Sequence, residues 1–113
     1  MKSIQQLLSS HCREMKGSAM SDADVREQLS VLEQWVVDGS ALTKTFRFKD
    51  YYETLAFVNA LAYIAHGEDH HPDLHVGYNR CVVRYNTHSV NGISENDFIC
   101  AAKVDALRPQ ADA

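Results

Sequence analysis

The sequence predicts an α+β fold in which helices pack on one face of an antiparallel four-stranded sheet, in the order α-β-β-α-β-β-α. Segments with apolar residues at every third or fourth position, as in helices, are separated by shorter segments in which apolar and polar residues alternate. The alternating segments come in pairs joined by short turns, which favours antiparallel hairpins. The 113 residues suffice for one domain with one core.

The first helix of this fold is expected from about Asp22 to Gln34. Its apolar stripe consists of Val25, Leu29 and Leu32. The segment VVDGSA that follows contains an Asp-Gly pair, the strongest hairpin signal in the chain. The next segment, LTKTFRFKD, alternates as a half-buried strand does, with Leu42, Phe46 and Phe48 on its inner face.

A second helix is predicted from about Tyr51 to Ala65, opened by Asp50 at the N-cap and Glu53 three residues later. It carries two neighbouring apolar stripes, one formed by Tyr51, Leu55, Val58, Ala62 and Ala65 and the other by Phe57, Leu61 and Ile64. So broad an apolar arc indicates either a deeply buried helix or a helix shared between the sheet and another subunit. Gly67 and Pro72 are expected to end this helix.

The last three elements are two strands and a helix. A short strand is expected over residues 74–78, with a turn near Asn79. The segment CVVRYNT then forms a second strand rich in β-branched residues, and His88 is expected to end this strand on its outer face. The inner face of that second strand is formed by Cys81, Val83 and Tyr85. Ser94 and Asp97 repeat the capping spacing before a final helix. Its apolar stripe consists of Cys100, Val104 and Leu107.

Composition limits the classes of function. The net charge of −4 disfavours nucleic acid and anionic membranes as partners. The three cysteines form no C-x-x-C pair, and no apolar run approaches the ~20 residues that span a bilayer, so a reduced, cytoplasmic protein is expected. We expect an irregular segment over residues 1–20, a single domain over 21–108 and a frayed tail over 109–113.

The segment HGEDHHPDLH, residues 66–75, holds four of the six histidines. One interpretation is a metal site, since His66 and His70 have the i, i+4 spacing of helical zinc ligands, although a helix that ends at Gly67 and Pro72 would not align them. A second is an exposed polar loop. A third is an acid/base centre, because imidazoles exchange protons near neutral pH and could drive an elimination of water or an isomerisation.

The spacing of these residues along the chain resembles the pterin-4a-carbinolamine dehydratase family. The pattern consists of His66, His70-His71-Pro72, Tyr78, His88 and Asp97, with Trp35 just after the first helix. Supporting segments are FRFKDYYETLAFVNALA before the motif and THSVNGISENDF after it. The resemblance extends from about Asp22 to Leu107, which is most of the chain.

The resemblance implies a reaction and roles for individual residues. Family members remove water from 4a-hydroxytetrahydropterin to give quinonoid dihydropterin, without a metal or organic cofactor. His70 and His88 match the histidines that transfer protons, although the sequence does not say which is acid and which is base. His71 matches a histidine that binds and orients the pterin, and Trp35 matches an aromatic residue beside the pocket. Asp97 matches a carboxylate that could orient an imidazole.

One position departs from the family pattern. Animal members carry a glutamate where this chain has His66, so a fixed negative charge that would raise the pKa of nearby histidines is missing. Glu68 or Asp69 could restore that charge.

Each assignment also has a simpler structural alternative. Asp97 could serve only as a helix cap, Trp35 only as a core residue, and His71 only as an exposed loop residue.

The resemblance also implies partners. Family members supply recycled pterin to aromatic amino-acid hydroxylases and form homodimers or homotetramers by helix packing and sheet extension, which the apolar second helix would fit. Animal members also bind a homeodomain transcription factor, so a non-catalytic binding module of the coactivator type is an alternative, as is a histidine-based metal site. A further alternative is a different pterin-related reaction in the same pocket.

Overall fold

The computed structural model describes residues 1–107, which form one four-stranded antiparallel sheet and four α-helices. The helices are α1 (Ile4–Ser9), α2 (Asp22–Leu29), α3 (Tyr51–Glu68) and α4 (Glu95–Asp105). The strands are β1 (Val36–Asp38), β2 (Ala41–Arg47), β3 (Asp73–Val76) and β4 (Arg80–Tyr85), and they lie in the order β1-β2-β4-β3. The expected fold class and element order are therefore confirmed, with α1 as an additional helix.

The two central strands show why one face of the sheet is covered. In the β2–β4 pair, Leu42 lies opposite Tyr85 and Phe46 lies opposite Cys81, and all four side chains are buried. Successive side chains point to opposite faces, so Thr45 and Arg47 lie on the outer face and are exposed. Helices α3 and α4 cover the inner face, contributing the buried side chains of Phe57, Leu61, Phe98, Ile99 and Val104.

The expectation that the first 20 residues are irregular is wrong for the segment that forms α1. The Ser3 side chain accepts a hydrogen bond from Gln6 N (3.2 Å), and the Gln6 side chain accepts one from Ser3 N (2.8 Å), which completes a capping box. Leu7 is fully buried, and α1 packs against α4. Most of the stabilisation of so short a helix comes from this packing.

Helix α2 is shorter than expected, because it ends at Leu29 rather than at Gln34. Residues 30–34 form turns, and Gln34 has a positive φ of 68°, which a right-handed helix does not allow. Leu32 is nevertheless buried. The apolar pattern therefore predicted the burial of Leu32 correctly but placed the end of the helix too late.

Helix α3 is longer than expected, because it continues through Gly67 to Glu68. Asp69 ends it in the left-handed conformation (φ 51°), and its N–H bonds back to Ala65 and His66 carbonyls. The expected N-cap is present, since the Asp50 side chain accepts a hydrogen bond from Glu53 N (2.9 Å). A glycine lowers helix propensity by only about 1 kcal/mol, which the contacts around the end of α3 outweigh.

Two boundaries near the C-terminus also differ. His88 does not extend β4 but begins a short 3-10 turn, His88–Val90. Helix α4 ends at Asp105, so Leu107 lies beyond it and is partly exposed, whereas Cys100 and Val104 are buried as expected. The predicted tail, residues 109–113, lies outside the described residues. Within residues 1–107, no helix is long and apolar enough to cross a membrane.

Candidate active site

His70 and Asp97 form the centre of the candidate site. The left-handed turn at Asp69 directs the chain away from α3, and His70 N still bonds to the Ala65 carbonyl oxygen (3.1 Å). His70 Nε2 lies 2.6 Å from Asp97 Oδ1, and the His70 side chain is 13% exposed. The structure thus brings together two residues that are 27 positions apart in the sequence.

The two carboxylate oxygens of Asp97 have different partners. Oδ2 accepts hydrogen bonds from Ser94 N (2.9 Å) and from Thr87 Oγ1 (2.9 Å), whereas Oδ1 contacts His70. Asp97 stands at the third position of α4 and is fully buried. The capping role and the imidazole-orienting role therefore occur together, and the converging donors stabilise the negative charge of the carboxylate.

Asp97 also determines the charge state of His70. Burial of the imidazole opposes protonation, but the hydrogen bond and the negative charge of Asp97 outweigh it, and the pKa of His70 lies above its ordinary value. The carboxylate of Asp69 acts in the same direction. Within residues 1–107, Nδ1 of His70 has no hydrogen-bond partner, so this nitrogen is available to a substrate.

Tyr85 forms the wall behind His70. The two rings are stacked, with centroids 5.7 Å apart and planes 13° apart. The Tyr85 hydroxyl is buried, and burial together with the nearby thiol of Cys100 raises its pKa. Its aromatic ring therefore holds the imidazole plane while Asp97 holds one imidazole nitrogen.

Trp35 is buried in the core next to Tyr85. It is 4% exposed, and its ring centroid is 6.4 Å from that of Tyr85 and 6.1 Å from that of Phe46. Trp35 Nε1 donates to Asp105 Oδ2 (3.0 Å), which also fixes the indole in the core. These contacts favour the core interpretation of Trp35, and a contact with substrate stays a prediction.

The other predicted site residues lie at the surface around this centre. His66 is exposed near the end of α3, Asp69 and His71 are exposed on either side of His70, and His88 is exposed at the start of the 3-10 turn. Within residues 1–107, none of these four side chains forms a hydrogen bond with His70 or Asp97. The structure thus holds His70 and Asp97 in a fixed pair, whereas the other predicted histidines are exposed.

The metal interpretation requires His66 and His70 to lie on one face of a helix. His66 lies within α3, and His70 lies after its C-cap, so the i, i+4 spacing does not place both histidines on one helical face. Among residues 1–107, no group of three or more His, Cys, Asp or Glu side chains is arranged to hold a metal ion.

The Glu68 side chain contacts groups other than His70 and Asp97. Its side chain accepts hydrogen bonds from Lys103 Nζ (2.6 Å) and Cys12 N (2.7 Å), and it lies 3.0 Å from His11 Nδ1. Burial raises the pKa of Glu68, but these partners outweigh it and lower the pKa to about 2. Asp69, whose charge raises the pKa of His70, is the better candidate for the compensating group.

Sequence reasoning missed Thr87. Its backbone pairs with Gly92 (Thr87 N to Gly92 O, 2.8 Å), closing the loop that carries His88, and its buried hydroxyl contacts both Asp97 and Ser94 (Oγ, 2.7 Å). Thr87 therefore connects the loop of one proposed proton-transfer histidine to the carboxylate that holds the other. The position of Thr87 between β4 and the Ser94–Asp97 capping box was the available signal.

Comparisons with known proteins give a consistent result. The family model described as pterin 4 alpha carbinolamine dehydratase matches residues 18–107. A candidate pterin-4-alpha-carbinolamine dehydratase of Bdellovibrio bacteriovorus is 59% identical over 93 residues, covering 79% of this chain and 78% of that protein. Another, of Stenotrophomonas maltophilia, is 56% identical over 108 residues, covering 92% of this chain and 93% of that protein.

Solved structures show the same fold. A transcriptional coactivator/pterin dehydratase from Brucella melitensis superposes with a TM-score of 0.77 at 36% identity, covering 81% of this chain and 100% of that one. A pterin dehydratase-like protein identified as a RuBisCO assembly factor in the alpha-carboxysome gives a TM-score of 0.59 at 29% identity, covering 67% and 90%. Because the family model spans most of the sequence and the relatives share more than half of the aligned residues, the chain belongs to the pterin 4 alpha carbinolamine dehydratase family.

Proposed function

We propose that this protein removes water from 4a-hydroxytetrahydropterin to give quinonoid dihydropterin, with histidines as the general acid and base. The observation that carries the proposal is the His70–Asp97 pair, in which Asp97 is buried and His70 is 13% exposed, because it supplies a fixed imidazole with one nitrogen available for proton transfer. Similarity to candidate dehydratases over most of the chain supports the same reaction.

The elimination needs two proton transfers. The bond between C4a and the hydroxyl oxygen breaks as that oxygen takes up a proton and leaves as water. The electron pair of a ring nitrogen forms the new double bond, and the proton of a ring nitrogen is lost to a base. One proton is delivered and one is removed, so one protonated imidazole and one neutral imidazole suffice for the reaction.

We assign the acid role to His70. Asp97 favours the imidazolium form by its hydrogen bond and charge, so His70 carries a proton at a higher pH than an ordinary histidine does. Nε2 stays bonded to Asp97, and Nδ1 delivers its proton to the departing hydroxyl. The neutral imidazole that results keeps the proton on Nε2 and donates it in a hydrogen bond to the Asp97 carboxylate, as an aspartate-oriented histidine does in other acid/base sites.

The base role then falls to His88, on the loop closed by Thr87. His71 would orient the pterin, with His66 and Asp69 completing the polar rim and Trp35 supporting the pocket from the core. The exposure of His66, His71 and His88 suits groups that bind a polar heterocycle from solvent.

The dehydratase assay tests the proposal directly. Purified protein should accelerate dehydration of 4a-hydroxytetrahydropterin equally with and without a chelator, and His70→Ala and His88→Ala should each lose about 10²–10⁴-fold in kcat. His75→Ala is the matched control, since His75 is exposed in β3 and should keep the wild-type rate. Unchanged rates in both site variants would contradict acid/base catalysis, and stoichiometric metal lost in His70→Ala would favour a metal site.

The product indicates the setting of the reaction. Quinonoid dihydropterin is an oxidised pterin, so the reaction belongs between an enzyme that hydroxylates the pterin at C4a, such as an aromatic amino-acid hydroxylase, and one that reduces the product. We further propose that the protein acts as a homodimer or homotetramer, with the exposed face of α3 in the interface.

A further inference from the structure

Two free cysteines lie side by side behind the candidate site. Cys12, in the segment after α1, is partly buried, and Cys100, in α4, is fully buried. Their Sγ atoms are 3.5 Å apart, although the residues are separated by 88 positions in the chain. The third cysteine, Cys81, is buried in β4.

The backbone around Cys12 is fixed on both sides. Cys12 N donates to Glu68 Oε1 (2.7 Å), and Arg13 N donates to Asn96 Oδ1 (3.1 Å). Asn96 Nδ2 in turn donates to the Arg13 carbonyl oxygen (2.6 Å). These bonds tie the segment to α3 and α4, so the two sulfurs are held together by the fold and need to approach by only about 1.5 Å to reach the ~2.05 Å of a disulfide.

The two sulfurs are also within hydrogen-bonding distance. The hydrogen bond from Cys12 lowers the pKa of Cys100 although burial opposes it, and the positive charge of His70 acts in the same direction. The same hydrogen bond raises the pKa of Cys12. A thiolate in the pair is therefore stabilised by its neighbour, and thiolates are the reactive form in disulfide exchange.

We propose that Cys12 and Cys100 are a redox modification site that closes reversibly to a disulfide when the protein meets a low-molecular-weight disulfide such as oxidised glutathione. Cys12 is the more exposed thiol, so the small disulfide reaches its sulfur first. The Cys12 proton passes along the S–H···S hydrogen bond to the Cys100 thiolate, and the Cys12 sulfur attacks the small disulfide, whose S–S bond breaks and releases one small thiol. Cys100 then attacks the Cys12 sulfur of the mixed disulfide and releases the second. The protein loses two electrons and two thiol protons, and the small disulfide becomes two small thiols.

Closure of this disulfide would join the N-terminal segment covalently to α4. It would also replace the Cys100 thiol that lies beside Tyr85, the residue on which His70 stacks. The disulfide would therefore change the packing directly behind the candidate site. Its formation does not depend on which reaction the site catalyses.

The experiment is to equilibrate the full chain in glutathione buffers of graded potential and to map thiols by alkylation and peptide mass spectrometry. By mass spectrometry of the denatured protein, we expect a single chain, not cross-linked to another, that lacks two hydrogens, contains a Cys12–Cys100 linkage and returns to the dithiol on reduction. The apparent Tm of the oxidised form should rise by on the order of 10 °C, because a cross-link across so long a loop restricts the unfolded chain.

Three variants make the result specific. Cys12→Ser, at a partly exposed position, and Cys100→Ser should each abolish the linkage and the rise in Tm, whereas Cys81→Ser should keep both. A stable glutathione adduct on Cys12 that never closes, a linkage that involves Cys81, or an intermolecular disulfide as the main product would each overturn the proposal.

Discussion

Asp97 uses its two carboxylate oxygens for two different contacts. Its Oδ2 caps α4 through Ser94 N, and its Oδ1 holds Nε2 of His70. The pattern Ser94-x-x-Asp97 predicted the cap, and the family resemblance predicted the imidazole contact. The sequence could not show that each oxygen takes one of the two roles, because that depends on how α4 meets the end of α3.

Replacing Asp97 with Asn should shift the pH dependence of the proposed reaction. The Asp97 carboxylate favours the imidazolium of His70, so Asp97→Asn lowers the pKa of His70. The acid form of His70 is lost as pH rises through that pKa. The fall of kcat at high pH should therefore begin at a lower pH in the variant, and kcat at neutral pH should drop by about 10–100-fold. A pH–rate profile and an NMR titration of His70 measure both effects.

The control removes a cap without touching a histidine. Asp50→Ala deletes the N-cap of α3 (Asp50 Oδ1 to Glu53 N, 2.9 Å), which should cost about 1 kcal/mol of unfolding free energy and leave the pH–rate limb in place. An Asp97→Asn profile that coincides with the wild type would show that Asp97 serves only as a cap.

Thr87 is predicted to be a positioning residue. Thr87→Val keeps the shape of the side chain but removes the hydroxyl that contacts Asp97 Oδ2 (2.9 Å) and Ser94 Oγ (2.7 Å). We expect kcat to fall about 10-fold with little change in KM, because Thr87 is buried behind the site. Thr87→Ser retains the hydroxyl and should recover most of kcat. Equal losses in the Val and Ser variants would instead indicate a packing defect.

The elements differ in how much of each the sequence could predict. The alternation in β2 and β4 specified the buried face directly, since that pattern is local. The end of α3 was not predictable from Gly67 alone, because contacts of Glu68 with α4 and with the N-terminal segment extend the helix by three residues beyond Ala65. Helix α1 was missed although Ser3 and Gln6 form a capping box, because its burial depends on α4.

Glu68 connects three elements, and its contribution to stability should depend on pH. Its carboxylate, with a side chain 8% exposed, binds Lys103 of α4 and Cys12 N of the N-terminal segment, and its pKa is lowered to about 2. A lowered pKa means that the stabilisation is fully present above the unfolded pKa of about 4.5 and is lost as pH falls toward about 2. Urea unfolding should therefore show Glu68→Gln less stable than wild type by on the order of 2 kcal/mol at neutral pH.

The gap between Glu68→Gln and wild type should narrow steadily below about pH 4.5. Glu14→Gln is the matched control, because Glu14 pairs with Lys16 at 3.6 Å where both side chains are about 80% exposed, and an exposed pair contributes little. A gap that stays constant down to the lowest measurable pH would show that Glu68 stabilises the fold through packing alone.

At the scale of the whole molecule, the two faces of α3 differ in exposure. Phe57 and Leu61 are buried on the sheet, but the opposite face is exposed and aromatic: Tyr52 is 78% exposed and Tyr63 is 81% exposed. The helix is therefore not deeply buried within one chain, which favours the other sequence interpretation, a helix shared with a second subunit. Exposed aromatic side chains on one helical face are typical of protein interfaces.

If α3 forms an interface between copies of this chain, a charge on its outer face should dissociate the assembly. Size-exclusion chromatography with light scattering should find wild-type protein as a dimer or tetramer, and Tyr63→Glu should shift it toward smaller species, because a carboxylate buried in an apolar contact has no partner to offset its desolvation. Gln5→Glu adds the same charge at an exposed position of α1 and should leave the assembly intact. If the wild-type protein is monomeric, α3 does not form an interface between copies of this chain.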